Sequence, residues 1–149
     1  MSTLEKIRTE IAADHDDVGR RAAHRIAEVI RARRGRAVLG LATGATVIGV
    51  YRELIRMHRE EGLSFAGVVT FNLDEYTPMD PGSIHSYHRF MQENLFAHVD
   101  LDPANIHVPR GDLPAAELEA ECARYEAAIA AAGGIDLQLL GIGRTGHIG

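Results

Sequence analysis

Apolar positions along this chain switch repeatedly between two periods, and the switching outlines a fold. Val18, Ala22, Ile26, Val29 and Ile30 recur at helical spacing, with arginines on the opposite side. Asp14, Asp16 and Asp17 precede them as cap and first-turn acids, and Gly35 ends the stretch. Residues 37–41 are instead a short unbroken apolar run, as in a strand buried on both faces. Residues 42–46 make a turn. A second helix then carries Val47, Tyr51, Leu54 and Ile55 inward and ends near Gly62. Residues 68–72 are a second buried strand, with Asp74 and Glu75 just past its end. Prolines and a glycine make 77–82 a loop. Residues 83–98 read as a helix, 105–108 as a short strand, and 114–132 as a helix facing inward with Leu118, Cys122, Tyr125 and Ile129. Gly133 and Gly134 close it before a last strand at 135–140. Strict strand–helix alternation predicts a Rossmann-like α/β fold: a parallel sheet with helices on both faces, joined by right-handed crossovers.

In such a sheet the loops after successive strands share one edge, where ligands bind. Three loops there carry unusual chemistry. Thr43, Gly44, Ala45 and Thr46 lie between a strand and a helix. Small residues, free N–H groups at a helix start and two hydroxyls suit a phosphate, although no Walker lysine follows. Asp74 and Glu75 are adjacent acids at the end of an apolar strand. Partial burial there would raise a carboxyl pKa and make it a proton shuttle; helix capping is the competing use. The third loop runs Gly143-Arg144-Thr145-Gly146-His147 and offers an imidazole. His85 and His88 stand three apart near Asp74, Glu75 and Asp80, but they form no recognised metal motif, and no metal is expected. His15, His24, His58, His98 and His107 read as surface or packing residues.

A net charge of -5 argues against a nucleic-acid partner. The local run Arg31, Arg33, Arg34 and Arg36 reads as a solvated helix end. The lone Cys122 falls at core spacing, forbids an internal disulfide and fits a reducing, cytoplasmic setting. No N-terminal signal region or membrane-length apolar stretch is present, so no membrane partner is expected.

These motifs resemble the glucosamine-6-phosphate isomerase/deaminase family. Residues 39–46 resemble its phosphate loop, and 69–76 its second strand and acidic loop. Ser86-Tyr87 followed by Phe90-Met91 resembles its next helix, and 102–106 the strand after that. Gly141-Ile142-Gly143 with Gly146-His147-Ile148 resembles its catalytic turn. The resemblance runs from about residue 37 to Gly149. The related 6-phosphogluconolactonases share the fold, but their acidic loop usually ends in arginine; Tyr76 and Ile148 favour the deaminase side.

The resemblance implies an aldose–ketose conversion of a small sugar phosphate that needs neither metal nor cofactor. His147 would assist ring opening. Asp74, with Glu75 as the neighbouring candidate, would carry a proton from C2 to C1, and the resulting imine would hydrolyse to fructose 6-phosphate and ammonia. The family usually has aspartate where this chain has Thr145, which weakens the support for the imidazole. Family members also normally continue beyond the point matching Gly149. Residues 1–149 therefore read as the N-terminal portion of a truncated domain, with an open sheet edge that invites homo-oligomers. The alternatives are a phosphosugar-binding module without turnover and a lactonase of the same fold.

Overall fold

The computed structural model describes residues 7–149. Helices and strands alternate from end to end: α1 (His15–Ala32), β1 (Val38–Leu41), α2 (Ile48–Glu61), β2 (Val69–Asn72), α3 (Tyr87–Asn94), β3 (Ile106–His107), α4 (Leu118–Ala131) and β4 (Leu137–Gln138). The strands form one parallel sheet in the order β3-β2-β1-β4. The chain steps outward from β1 through β2 to β3, then returns to place β4 on the other side of β1. The gap between β1 and β4 is thus the switch point of the sheet, where the loops beyond the strand ends diverge and leave a crevice.

Capping and close packing set the helices. Asp14 accepts the Asp17 N–H at 2.7 Å and starts α1. At the other end Gly35, at φ 77°, donates its N–H to the Ile30 carbonyl at 2.8 Å. The inward face of α1 is Gly19, Ala23, Ile26, Ala27 and Ile30. A Cβ on Gly19 would lie 2.9 Å from the Gly49 carbonyl carbon, so α1 and α2 cross at bare backbone. That crossing turns Val18 outward, leaving it 49% exposed despite its place in the apolar pattern. Gly62 ends α2 in the left-handed region at φ 71°, as its position after the last apolar residue suggests.

Successive strand residues point to opposite faces. Leu39 and Leu41 enter a large core with α1, α2, Met91 of α3, Leu95 and Phe96. Val38 and Phe71 meet Tyr125 of α4 in a smaller cluster on the other face. Helices therefore cover both faces, as the alternation predicts.

Three elements differ from their sequence outlines. The helix expected over 83–98 is confined to Tyr87–Asn94 plus a 3-10 turn at Phe96–His98. Buried Ser86 causes the late start: it accepts the Arg89 N–H at 3.0 Å and donates to the Pro81 carbonyl at 2.8 Å. The last two strands are shorter than their apolar runs, since only Ile106–His107 and Leu137–Gln138 find ladder partners. Cys122 is exposed, not core. Its place on α4 is taken by Glu121, which Arg124 clamps at 2.6 and 2.7 Å and which accepts the Arg110 N–H at 3.3 Å. A carboxylate so engaged can be buried without an unpaired charge.

Candidate active site at the carboxyl edge of the sheet

The loops after β1, β2 and β4 meet around one cavity of about 310 Å³. Its walls include Thr43, Gly44, Ala45, Thr46, Asp74 and His147. Six of the seven expected site residues are thus brought together across the crevice beside β1. The seventh, Glu75, faces a neighbouring cavity.

The geometry of the Thr43–Thr46 loop follows from Gly44. Its φ of 98° and ψ of 169° belong to a region that L side chains rarely adopt, although a Cβ there would meet nothing. The bend sends Ala45–Val47 into a 3-10 turn that runs directly into α2. No side chain caps either start, and Thr43 to Thr46, which lead into the positive end of α2, line the cavity. That is the arrangement an anion needs.

Asp74 follows β2 by two residues. Its carboxyl is pushed above the usual carboxylate range, first by desolvation and then by the charge of Glu75; the nearby His147 pulls the other way. Glu75 has a different environment. Its carboxylate accepts the N–H groups of Tyr76 at 2.9 Å, Tyr87 at 3.1 Å and His88 at 3.0 Å. It therefore staples the acidic loop to the first turn of α3.

The histidine loop is a small hairpin. Ile142 and Ile148 pair in antiparallel fashion, and Gly143 donates its N–H to the His147 carbonyl at 2.7 Å. Gly146, at φ 83°, takes the tight turn and donates to Gly143 at 2.9 Å. Thr46 donates its hydroxyl to the Ile142 carbonyl at 3.2 Å and so ties this hairpin to the Thr43–Thr46 loop. Arg144 also lines the cavity, while Thr145 is exposed.

Tyr87 lines the same cavity and was not among the residues expected there. Its signal was obscured because the apolar period places the helix start four residues earlier, where Tyr87 would lie mid-helix. His85 and His88 form no metal-binding group; no cluster of metal-ligating side chains occurs among the described residues. His107 is a packing residue, stacked on Phe71 with ring centroids 4.4 Å apart.

Residues 13–149 match the family described as glucosamine-6-phosphate isomerases/6-phosphogluconolactonase. The chain belongs to this family. It is 48% identical to glucosamine-6-phosphate deaminase 2 of Bacillus subtilis over 139 residues, 93% of this chain and 55% of that protein. It is 53% identical to glucosamine-6-phosphate deaminase 1 of Giardia intestinalis over 126 residues, 85% of this chain and 46% of that one. A solved monomeric glucosamine-6-phosphate deaminase superposes with a TM-score of 0.87 at 44% identity, covering 94% of this chain and 56% of that one. The chain spans about half the length of the curated relatives it matches. A 6-phosphogluconolactonase from Thermotoga maritima shares the fold at a TM-score of 0.73 and 24% identity, covering 93% of this chain and 60% of that one.

Proposed function

We propose that this chain is the N-terminal portion of an amino-sugar-phosphate isomerase/deaminase domain, acting on glucosamine 6-phosphate to give fructose 6-phosphate and ammonia. The observation that carries the reading is the convergence of the uncapped phosphate loop, Asp74 and His147 on one cavity. The phosphate would sit on the N–H groups of the phosphate loop. His147 would exchange a proton with the sugar ring oxygen as the ring opens. Asp74, as carboxylate, would take the C2 proton and return it to C1 through an enolamine. Water then adds to the C2 imine and ammonia leaves. Only acid/base groups are needed. Arg144 adds a cation to the cavity wall and supports an anionic ligand.

The arrangement supports Asp74 as the base of the two acids. Desolvation raises its carboxyl above the usual carboxylate range and so makes its carboxylate a stronger base, whereas Glu75 is occupied by three N–H groups. A cytoplasmic setting goes with this reading. The single cysteine suits a reducing compartment, and no helix among the described residues is long and apolar enough to cross a membrane.

The test is a chimera in which residues 1–149 are followed by the matching remainder of the Bacillus subtilis deaminase. Glucosamine 6-phosphate in D₂O should exchange its C2 proton and release ammonia. Phosphosugar binding without either event would favour a binding module, and lactone hydrolysis without ammonia would favour a lactonase.

A further inference from the structure

We propose that Tyr87 is a positioning residue of this site and Glu75 its anchor, so that the acidic loop is registered against the phosphate loop through the first turn of α3. The inference rests on the reading of the cavity as a phosphosugar site. Glu75 lies outside that cavity, yet its carboxylate holds the backbone N–H groups of Tyr87 and His88. Fixing those two groups fixes where the Tyr87 side chain leaves the helix. That side chain lines the cavity together with Thr43 of the phosphate loop and with Asp74. The Tyr76 and Tyr87 rings lie 4.9 Å apart, tilted by 44°. Tyr76 first and burial second push the phenol up to about 12, so it remains a neutral strut between the loops across the working pH range.

The support beneath Glu75 is bare backbone. A Cβ on Gly111 would lie 3.0 Å from Glu75 Cγ and 2.0 Å from the Tyr76 carbonyl oxygen. The Met79 N–H also reaches the Gly111 carbonyl at 2.7 Å. The acidic loop is therefore pressed between the 109–112 segment and α3, with Glu75 at the junction. A phosphosugar held at its phosphate by one loop and at C1 and C2 by the other needs those loops at a fixed separation. A carboxylate engaged in this way acts through Tyr87 rather than on the substrate.

The test uses the 149-residue chain with Tyr87→Phe, Glu75→Ala and Glu75→Gln, each checked by circular dichroism for an intact fold. Amide shifts of Thr43, Gly44 and Asp74 report titration with inorganic phosphate and with glucosamine 6-phosphate. Tyr87→Phe and Glu75→Ala should weaken sugar-phosphate binding by ~2–10-fold, the loss of about one net hydrogen bond, while inorganic phosphate binding changes less than about twofold. Glu75→Gln keeps an acceptor oxygen and should restore most of the loss. The ¹³Cζ resonance of Tyr87 should move in Glu75→Ala and in Thr43→Val. Parental sugar-phosphate binding in a folded Tyr87→Phe chain would overturn the proposal. If the parent binds neither ligand, the phosphosugar reading fails. In that event the Tyr87 resonance decides the strut alone, and an unmoved signal in Glu75→Ala overturns it.

Discussion

Asp74 is under two opposed demands, and they can be separated by measurement. Desolvation and Glu75 hold its carboxyl above the ordinary range, so the fold favours the protonated form. Catalysis by the proposed route needs the carboxylate. The stability contribution is present at low pH and is lost as pH rises through the raised value. Asp74→Asn removes that cost and the base together. Its thermal midpoint at neutral pH should rise slightly, while C2 proton exchange in the chimera should fall by ~10²–10⁴-fold. Retained exchange would move the proton to another group. The pH profile gives a second expectation. Activity should fall on the acid side as Asp74 takes up a proton, at a pH above that of an ordinary aspartate. Glu75→Gln removes the neighbouring charge and should move that limb to lower pH; an unmoved limb would mean that Glu75 does not act on Asp74 electrostatically.

The elements were legible wherever periodicity, capping and glycine agreed. Gly62 ends α2, Asp14 starts α1, and residues 38–41 form a wholly buried strand. The pattern failed where one local hydrogen bond or a close approach outweighed it. Ser86 bonds back to Pro81 and delays α3, so Tyr87 enters the cavity instead of lying mid-helix. Arg124 neutralises Glu121 and lets it replace Cys122 on the inner face of α4. Neither event leaves a mark in the spacing of apolar residues. Gly111 is a further case, since its neighbours are distant in sequence. Adding one methyl there places a carbon 2.0 Å from the Tyr76 carbonyl oxygen, and backbone must move. Gly111→Ala should destabilise the protein by ~1–3 kcal/mol, typical of overpacking. It should also shift the amide resonances of the acidic loop and the start of α3. Gly143→Ala is the control, because its Cβ would meet only ordinary contacts at 3.6 Å. Equal effects from both substitutions would show that glycine flexibility, not the close approach at Gly111, is what matters.

At the scale of the whole molecule, the sheet order explains why three loops far apart in sequence share one cavity. Parallel strands place their carboxyl ends together, and the reversal between β1 and β4 opens the crevice. Alternation of strand and helix was enough to expect this. It did not show that the two faces of the sheet are unequally covered. On one side Ala23, Tyr51, Leu54 and Met57 are wholly buried in a core shared by α1 and α2. On the other, α4 contributes Tyr125 to a buried cluster with Val38 and Phe71, and its Ala128 and Ile129 are partly exposed. Local opening follows the thinner packing, so α4 should open before α1 and α2. The consequence reaches the site through Tyr125, whose hydroxyl proton is shared between the carbonyls of Asn72 at 2.8 Å and His107 at 3.0 Å. Those bonds pin the ends of β2 and β3 just beneath the acidic loop. Native-state hydrogen exchange should find α4 amides less protected than those of α1 and α2. Tyr125→Phe keeps the ring but loses the hydroxyl, about 0.5–1.5 kcal/mol, and should speed α4 exchange by ~2–10-fold. Amides from Leu73 to Tyr76 should follow α4, while α1 and α2 stay unchanged. If all four helices instead exchange together and respond alike, the two faces form one cooperative unit and Tyr125 has no local role.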